Sequence, residues 1–246
     1  MSLIRAVCGQ DEHCFIELWG FMESLAELDR KLGEVRVEGS LGAAAPVIIG
    51  VPEETISEMS DKLYRALREL GYDIEKESVD RGARGAYEPE DQASSFASFA
   101  FKRLLYKTAR GAEHQALSQP WSETYCPVCG LLPVAVVDER DESGFPQARY
   151  KCLCGNSWRQ SEFMCPSCKA RGGENFEVHH VGRLPMYLCK NCGHMMLVAS
   201  SEHISGAEDE EILPIIAAIA ANTILQELSQ ESGEEGGDER EDVRIE

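Results

Sequence analysis

Residues 148–168 read ARYKCLCGNSWRQSEFMCPSC, and the fold turns on how their four cysteines are shared. Cys165 and Cys168 have two residues between them, whereas Cys152 and Cys154 have one. Working outward, Cys126-Pro-Val-Cys129-Gly precedes this stretch and Cys189-Lys-Asn-Cys192-Gly follows it. There are 22 residues between Cys129 and Cys152 and 20 between Cys168 and Cys189. Each half is a C-x-x-C turn, a hairpin-length spacer and a second close pair, which is the spacing of a tetrahedral four-thiolate site. A short C-x-x-C turn lets two thiolates reach one ion while backbone N–H groups donate to the sulfurs. Glycine after the second cysteine supplies the positive φ that such a turn often needs.

The two halves also resemble each other. Cys126-Pro-Val-Cys129 aligns with Cys165-Pro-Ser-Cys168, and Tyr150-Lys-Cys152 with Tyr187-Leu-Cys189, at offsets of 37 to 39 residues. This predicts a tandem repeat of one small metal-binding unit. Site one is Cys126, Cys129, Cys152 and Cys154; site two is Cys165, Cys168, Cys189 and Cys192. The crowded cysteines are the end of one site and the start of the next, and the tight pair is a knuckle with one residue deleted. That deletion leads us to expect weaker binding at site one. Two ions per chain follow, iron or zinc, because thiolate sites of this kind accept either. His179, His180 and His194 are expected at the surface or in packing, since site two already has four thiolates. Trp121 and Trp158 flank site one and are expected to pack there. Cys8 and Cys14 have no ligand spacing and are expected to be plain thiols.

The charge is uneven. The chain of 246 residues has a net charge of −19, made up of −8 over residues 1–125, +1 over 126–200 and −12 over 201–246. Phosphate backbones repel such a chain, which argues against nucleic acid as a partner. The N-terminus meets acidic residues early and has no long apolar core, so no export signal is expected. The apolar run 212–221, ILPIIAAIAA, is about half of a membrane-spanning length. These features predict a cytoplasmic protein, where clustered cysteines bind metal or act in redox chemistry rather than form disulfides.

Outside the cysteine region the pattern is helical. Residues 15–32, 52–70 and 93–108 place apolar side chains at helical spacing, with Gly71 where a helix stop would fall. Residues 78–92 read as a loop. From residue 125 to about 200 short β-type runs such as LPVAVV alternate with turns. Acids 208–211 then start an apolar helix, where they suit the helix dipole. The expected fold is α+β: a mostly helical domain over 1–120, tandem four-cysteine β modules within 121–200 (126–154 and 165–192), a C-terminal helix over 205–228 packing on the helical body, and a disordered acidic tail over 229–246.

Residues 125–199 resemble the formate dehydrogenase accessory protein FdhE family. The resemblance rests on CPVCGLLPVAVV at 126–137, on Tyr150 and Lys151 before the second pair, on Trp158 four residues after it, and on the later pairs Cys165/Cys168 and Cys189/Cys192. A C-x-C pair stands here where that family has C-x-x-C. The resemblance implies rubredoxin-like tandem modules on a helical body. It implies a protein that is not itself an enzyme but binds the catalytic subunit of a formate dehydrogenase, a molybdenum or tungsten oxidoreductase, and aids its maturation in the cytoplasm. It also implies that Cys126 and Cys129 matter most for that contact. Two other readings stay open at the level of sequence: a rubredoxin-like electron carrier, and a zinc-ribbon nucleic-acid-binding protein.

Overall fold

The alternating apolar run that begins at Ala135 becomes the centre of a sheet. The computed structural model describes residues 3–234 apart from 40, 43, 86–91, 141, 161–162 and 205. Six strands form one sheet: β1 (Ala135–Arg140), β2 (Pro146–Lys151), β3 (Ser157–Gln160), β4 (Phe176–Val181), β5 (Leu184–Cys189) and β6 (Met195–Ser200), in the order β3-β2-β1-β6-β5-β4. Each repeat contributes an antiparallel three-stranded meander. The two are joined by a parallel β1–β6 ladder in which Ala135 lies opposite Leu197 and Val137 opposite Ala199. Equivalent strands of the two repeats therefore run in the same direction, so the second unit is a translated copy of the first across the sheet.

Side chains alternate across a strand, so the sheet presents two different faces. Ala135, Val137, Leu197 and Ala199 face one side, where Ile212, Leu213, Ile216 and Ala217 of the C-terminal helix α8 (Ala207–Glu234) cover them. Leu3 and Ala6 of α1 (Leu3–Cys8) complete that layer. Val136, Ala148, Tyr150 and Met196 face the other side and join the core of the helical body. That body is α2 (Glu12–Glu34), α4 (Glu53–Glu69), α5 (Lys76–Ala83) and α6 (Gln92–Gly111), with the single turns α3 (Val47–Gly50) and α7 (Gln115–Ser118). The fold is α+β, with helices on both faces of a sheet built from the two four-cysteine modules.

The helices form where apolar periodicity places them. Met59, Leu63 and Leu67 of α4 and Ala97, Phe101, Leu104 and Leu105 of α6 are buried together. Asp11 caps α2 by accepting from the amides of His13 and Cys14, and Gly71, at φ +85°, follows the end of α4. Three expectations need correction. Residues 76–83, in part read as loop, form α5, which buries only the small residues Ser78, Val79, Gly82 and Ala83 and so shows little apolar periodicity in the sequence. The C-terminal helix continues past Leu228 to Glu234. The rest of the expected tail, 235–246, and residues 86–91 of the expected loop lie outside the described residues. Cys8 and Cys14, expected as plain thiols, are joined in a disulfide: Cys8 ends α1, Cys14 opens α2, and the turn between brings their Cα atoms to 5.5 Å.

Candidate metal centres

Each C-x-x-C turn is held by the same pair of backbone hydrogen bonds. Cys126 N–H donates to the Leu131 carbonyl and Gly130 N–H to the Cys126 carbonyl, at 2.8 and 3.0 Å. In the second repeat Cys165 N–H donates to Ala170 and Lys169 N–H to Cys165, at 2.9 and 2.8 Å. The second knuckles differ by one residue. Gly193 N–H reaches the Cys189 carbonyl across four residues, while Gly155 N–H reaches the Cys152 carbonyl across three. The C-x-C pair is thus the same knuckle shortened by a residue, and it still closes. The residue after each pair has positive φ: Gly130 at 73°, Gly155 at 100°, Gly193 at 74° and Lys169 at 63°. The first three are glycines, as the sequence pattern implies, and the fourth is a lysine.

The structure brings the sequence-assigned cysteines together in the expected sets. Cys126, Cys129, Cys152 and Cys154 form one group and Cys165, Cys168, Cys189 and Cys192 the other, the sulfurs of each lying within 4.8 Å of one another. In site one the Cys126–Cys154 and Cys129–Cys152 sulfur separations are 3.7 and 3.4 Å. In site two Cys165–Cys192 and Cys168–Cys189 are both 3.5 Å apart. A tetrahedron with metal–sulfur bonds of about 2.3 Å has sulfur–sulfur edges of about 3.8 Å, so both groups fit one thiophilic ion each. Each site can hold a metal ion, giving two per chain. None of His179, His180 and His194 belongs to either group. His194 hydrogen-bonds the Pro133 carbonyl at 2.9 Å instead.

The surroundings of the two sites differ. Site one is sealed: Cys126, Cys129, Cys152 and Cys154 are 0, 5, 0 and 1% exposed, and all belong to the main core. Val128 N–H and the Asn156 amide donate to Cys126 Sγ at 3.4 and 3.7 Å. Val47 and Ile48 of α3 donate their amides to the Pro127 and Val128 carbonyls, both at 2.9 Å, so the helical body is hydrogen-bonded to the knuckle itself. Four thiolates around a divalent ion carry a net charge of −2, and cations of α6 are at hand. Burial pushes the Lys102 ammonium below its ordinary pKa, while Cys129, Cys152 and Cys154 pull it back up. Arg103 Nη1 is buried without a hydrogen-bond partner and lies 3.8 Å from where a Cβ on Gly155 would sit. Trp158 packs edge-on against Tyr150, as expected of a packing residue.

Site two is built from the connection between β3 and β4 and from the end of β5 with the turn that follows it. Cys165 and Cys189 are buried, but Cys168 and Cys192 are exposed. Its apolar support is a small cluster in which Phe163 and Tyr187 flank Cys165, Phe176 and Cys189, and Phe163 also packs against the main core. Sequence reasoning found all eight sulfurs but missed Val47, Lys102, Arg103 and Asn156. Asn156 carried a usable signal, since it follows a knuckle glycine. The other three are remote in sequence and nothing in their surroundings marks them.

The fold and the sites define a metal-binding α+β protein with two tandem zinc-ribbon-like modules. Set against known proteins, the chain matches no family model, no curated protein and no solved structure. No helix among the described residues is long and apolar enough to cross a membrane.

Proposed function

We propose that this chain is a cytoplasmic accessory factor, not an enzyme, that binds the catalytic subunit of a formate dehydrogenase and aids its maturation. The observation that carries this reading is the closure of both four-cysteine groups. Four protein thiolates leave no coordination position for a substrate, which suits a structural scaffold presenting a surface to a client. The resemblance of residues 125–199 to the FdhE family supplies the identity of the client. Cys126 and Cys129 are buried, so they act on a client through the fold they hold, and the contact surface is made by other residues.

The exposed ligand pair of site two favours a second reading, a rubredoxin-like electron carrier, because an exposed thiolate edge is where an iron centre would exchange electrons. Affinity capture of the tagged chain from anaerobically grown native host, with mass spectrometry of what is retained, tests the first. Recovery of a formate dehydrogenase catalytic subunit is the expected result. A chain that carries two reversibly reducible irons and retains no such subunit would favour the carrier.

A further inference from the structure

The two sites have the same donors and similar sulfur geometry, yet only one is accessible. A thiophilic cation displaces a bound ion by first attaching to a ligand sulfur. Site one offers no sulfur for that step: all four are buried, and its first knuckle is hydrogen-bonded to Val47 and Ile48 of the helical body. Ion exchange there requires the body to open, and such openings are rare events in a packed core. At site two Cys168 and Cys192 are exposed residues. Its first knuckle is itself tied to the main body, since Thr124 Oγ1 donates to the Pro166 carbonyl at 2.7 Å and Phe163 packs against both clusters, so what separates the two sites is the exposure of Cys168 and Cys192.

We propose that site two is an exchangeable metal site, which takes up and releases soft divalent cations through Cys168 and Cys192, while site one is a permanent pin joining the sheet to the helices. The exchange moves no electrons: a cation such as cadmium forms four bonds to sulfur as the resident ion loses its four, and the thiolate charge is unchanged. Soft thiolate ligands favour such cations. Site two is therefore the first to exchange, the opposite order to that expected if the short C-x-C knuckle made site one the labile one, because accessibility and not turn length governs the rate. It rests on the two-ion reading of the cysteine groups and is independent of the formate dehydrogenase role.

The test uses the full chain loaded with two zinc ions. Cadmium is added in excess and zinc release is followed with a colorimetric chelator. In a parallel sample, a limited amount of chelator is added and the freed thiols are alkylated and mapped by mass spectrometry. The expected result is two phases of equal amplitude, the second slower by on the order of tenfold or more because it waits on opening of the core. Label appears first on Cys165, Cys168, Cys189 and Cys192, and the far-ultraviolet circular dichroism stays unchanged through the first phase. Release in one phase, or first labelling of Cys126, Cys129, Cys152 and Cys154, would overturn the proposal. A chain that binds only one zinc would remove the two-ion reading itself. No ligand variant is needed, so misfolding does not confuse the outcome.

Discussion

The amide of Val47 donates to the carbonyl of Pro127 at 2.9 Å, joining the first turn of a short helix to the loop between two metal ligands. Val47 is fully buried at this contact. Helical body and metal knuckle are thereby one structural unit, although 80 residues of sequence separate them. Val47→Pro keeps a residue suited to a helix start but deletes the donor. Loss of a buried hydrogen bond costs about 1–3 kcal/mol. The expected outcome is a lower Tm by circular dichroism and faster zinc release from site one, with the rate at site two unchanged.

A buried ion pair ties α2 to α6. Arg103 Nε donates to Asp29 Oδ1 at 2.7 Å, with a second contact to Oδ2, and both side chains are nearly sealed from solvent. Removing one member leaves an uncompensated buried charge, which costs about 3–5 kcal/mol. Asp29→Ala is expected to lose that much in denaturant unfolding. Replacing Asp29 and Arg103 together by Leu and Met should cost less than Asp29→Ala alone, and an equal or larger cost would refute this account.

The start of α8 is fastened to β2 by charge. Glu210 accepts from Nη1 and Nη2 of Arg149, each at 2.9 Å, and from the Lys151 ammonium at 2.8 Å. Burial alone would raise the Glu210 carboxyl, but Arg149 and Lys151 outweigh it and hold it at about 2. A depressed carboxylate contributes stability above its unfolded pKa and loses it as pH falls toward the folded one. Glu210→Gln should therefore be less stable than the parent at pH 7. The difference should shrink between about pH 4.5 and pH 2, with pH-dependent melts of the two chains as the measurement.

Lys169 occupies a left-handed position that glycine holds in the other three knuckles. A side chain there costs roughly 1–2 kcal/mol, offset in part by the roughly 0.5–1 kcal/mol of extra unfolded-state freedom glycine brings. Lys169→Gly should stabilise the chain by up to about 1 kcal/mol. Gly193→Ala, at φ +74°, should destabilise it and speed zinc release from site two.

Gly82 sits where α5 meets α6. A Cβ there would lie 2.6 Å from the Ser94 carbonyl oxygen and 2.6 Å from the Ser98 nitrogen. Both are backbone atoms of a packed helix and cannot step aside. Gly82→Ala is expected to destabilise by about 1–3 kcal/mol, since overpacking forces backbone shifts. An unchanged denaturation midpoint would mean that the two helices separate freely.

Much of this protein was legible in its sequence because the signals are local. A C-x-x-C turn, the residue of positive φ after it and a hairpin-length spacer are short-range features, and they gave both ligand sets and the repeat. The apolar spacing of α2, α4 and α6 is equally local. Helix α5 escaped because it is two turns long and packs through Gly82, leaving little periodicity to read. The Cys8–Cys14 disulfide escaped because it depends on the angle at which α1 meets α2, not on ligand spacing.

The sequence by itself determined the chemistry of the two sites: eight sulfurs, two ions, four donors each. Only the tertiary structure decided that the sites are unequal. The two repeats are translated copies across one sheet, and the core of the helical body takes in the cysteines of only the first. Docking of α3 and α6 buries site one, whereas Cys168 and Cys192 of site two stay exposed. Burial is a property of what packs against a residue, and here the packing partners come from sequence well outside the repeats.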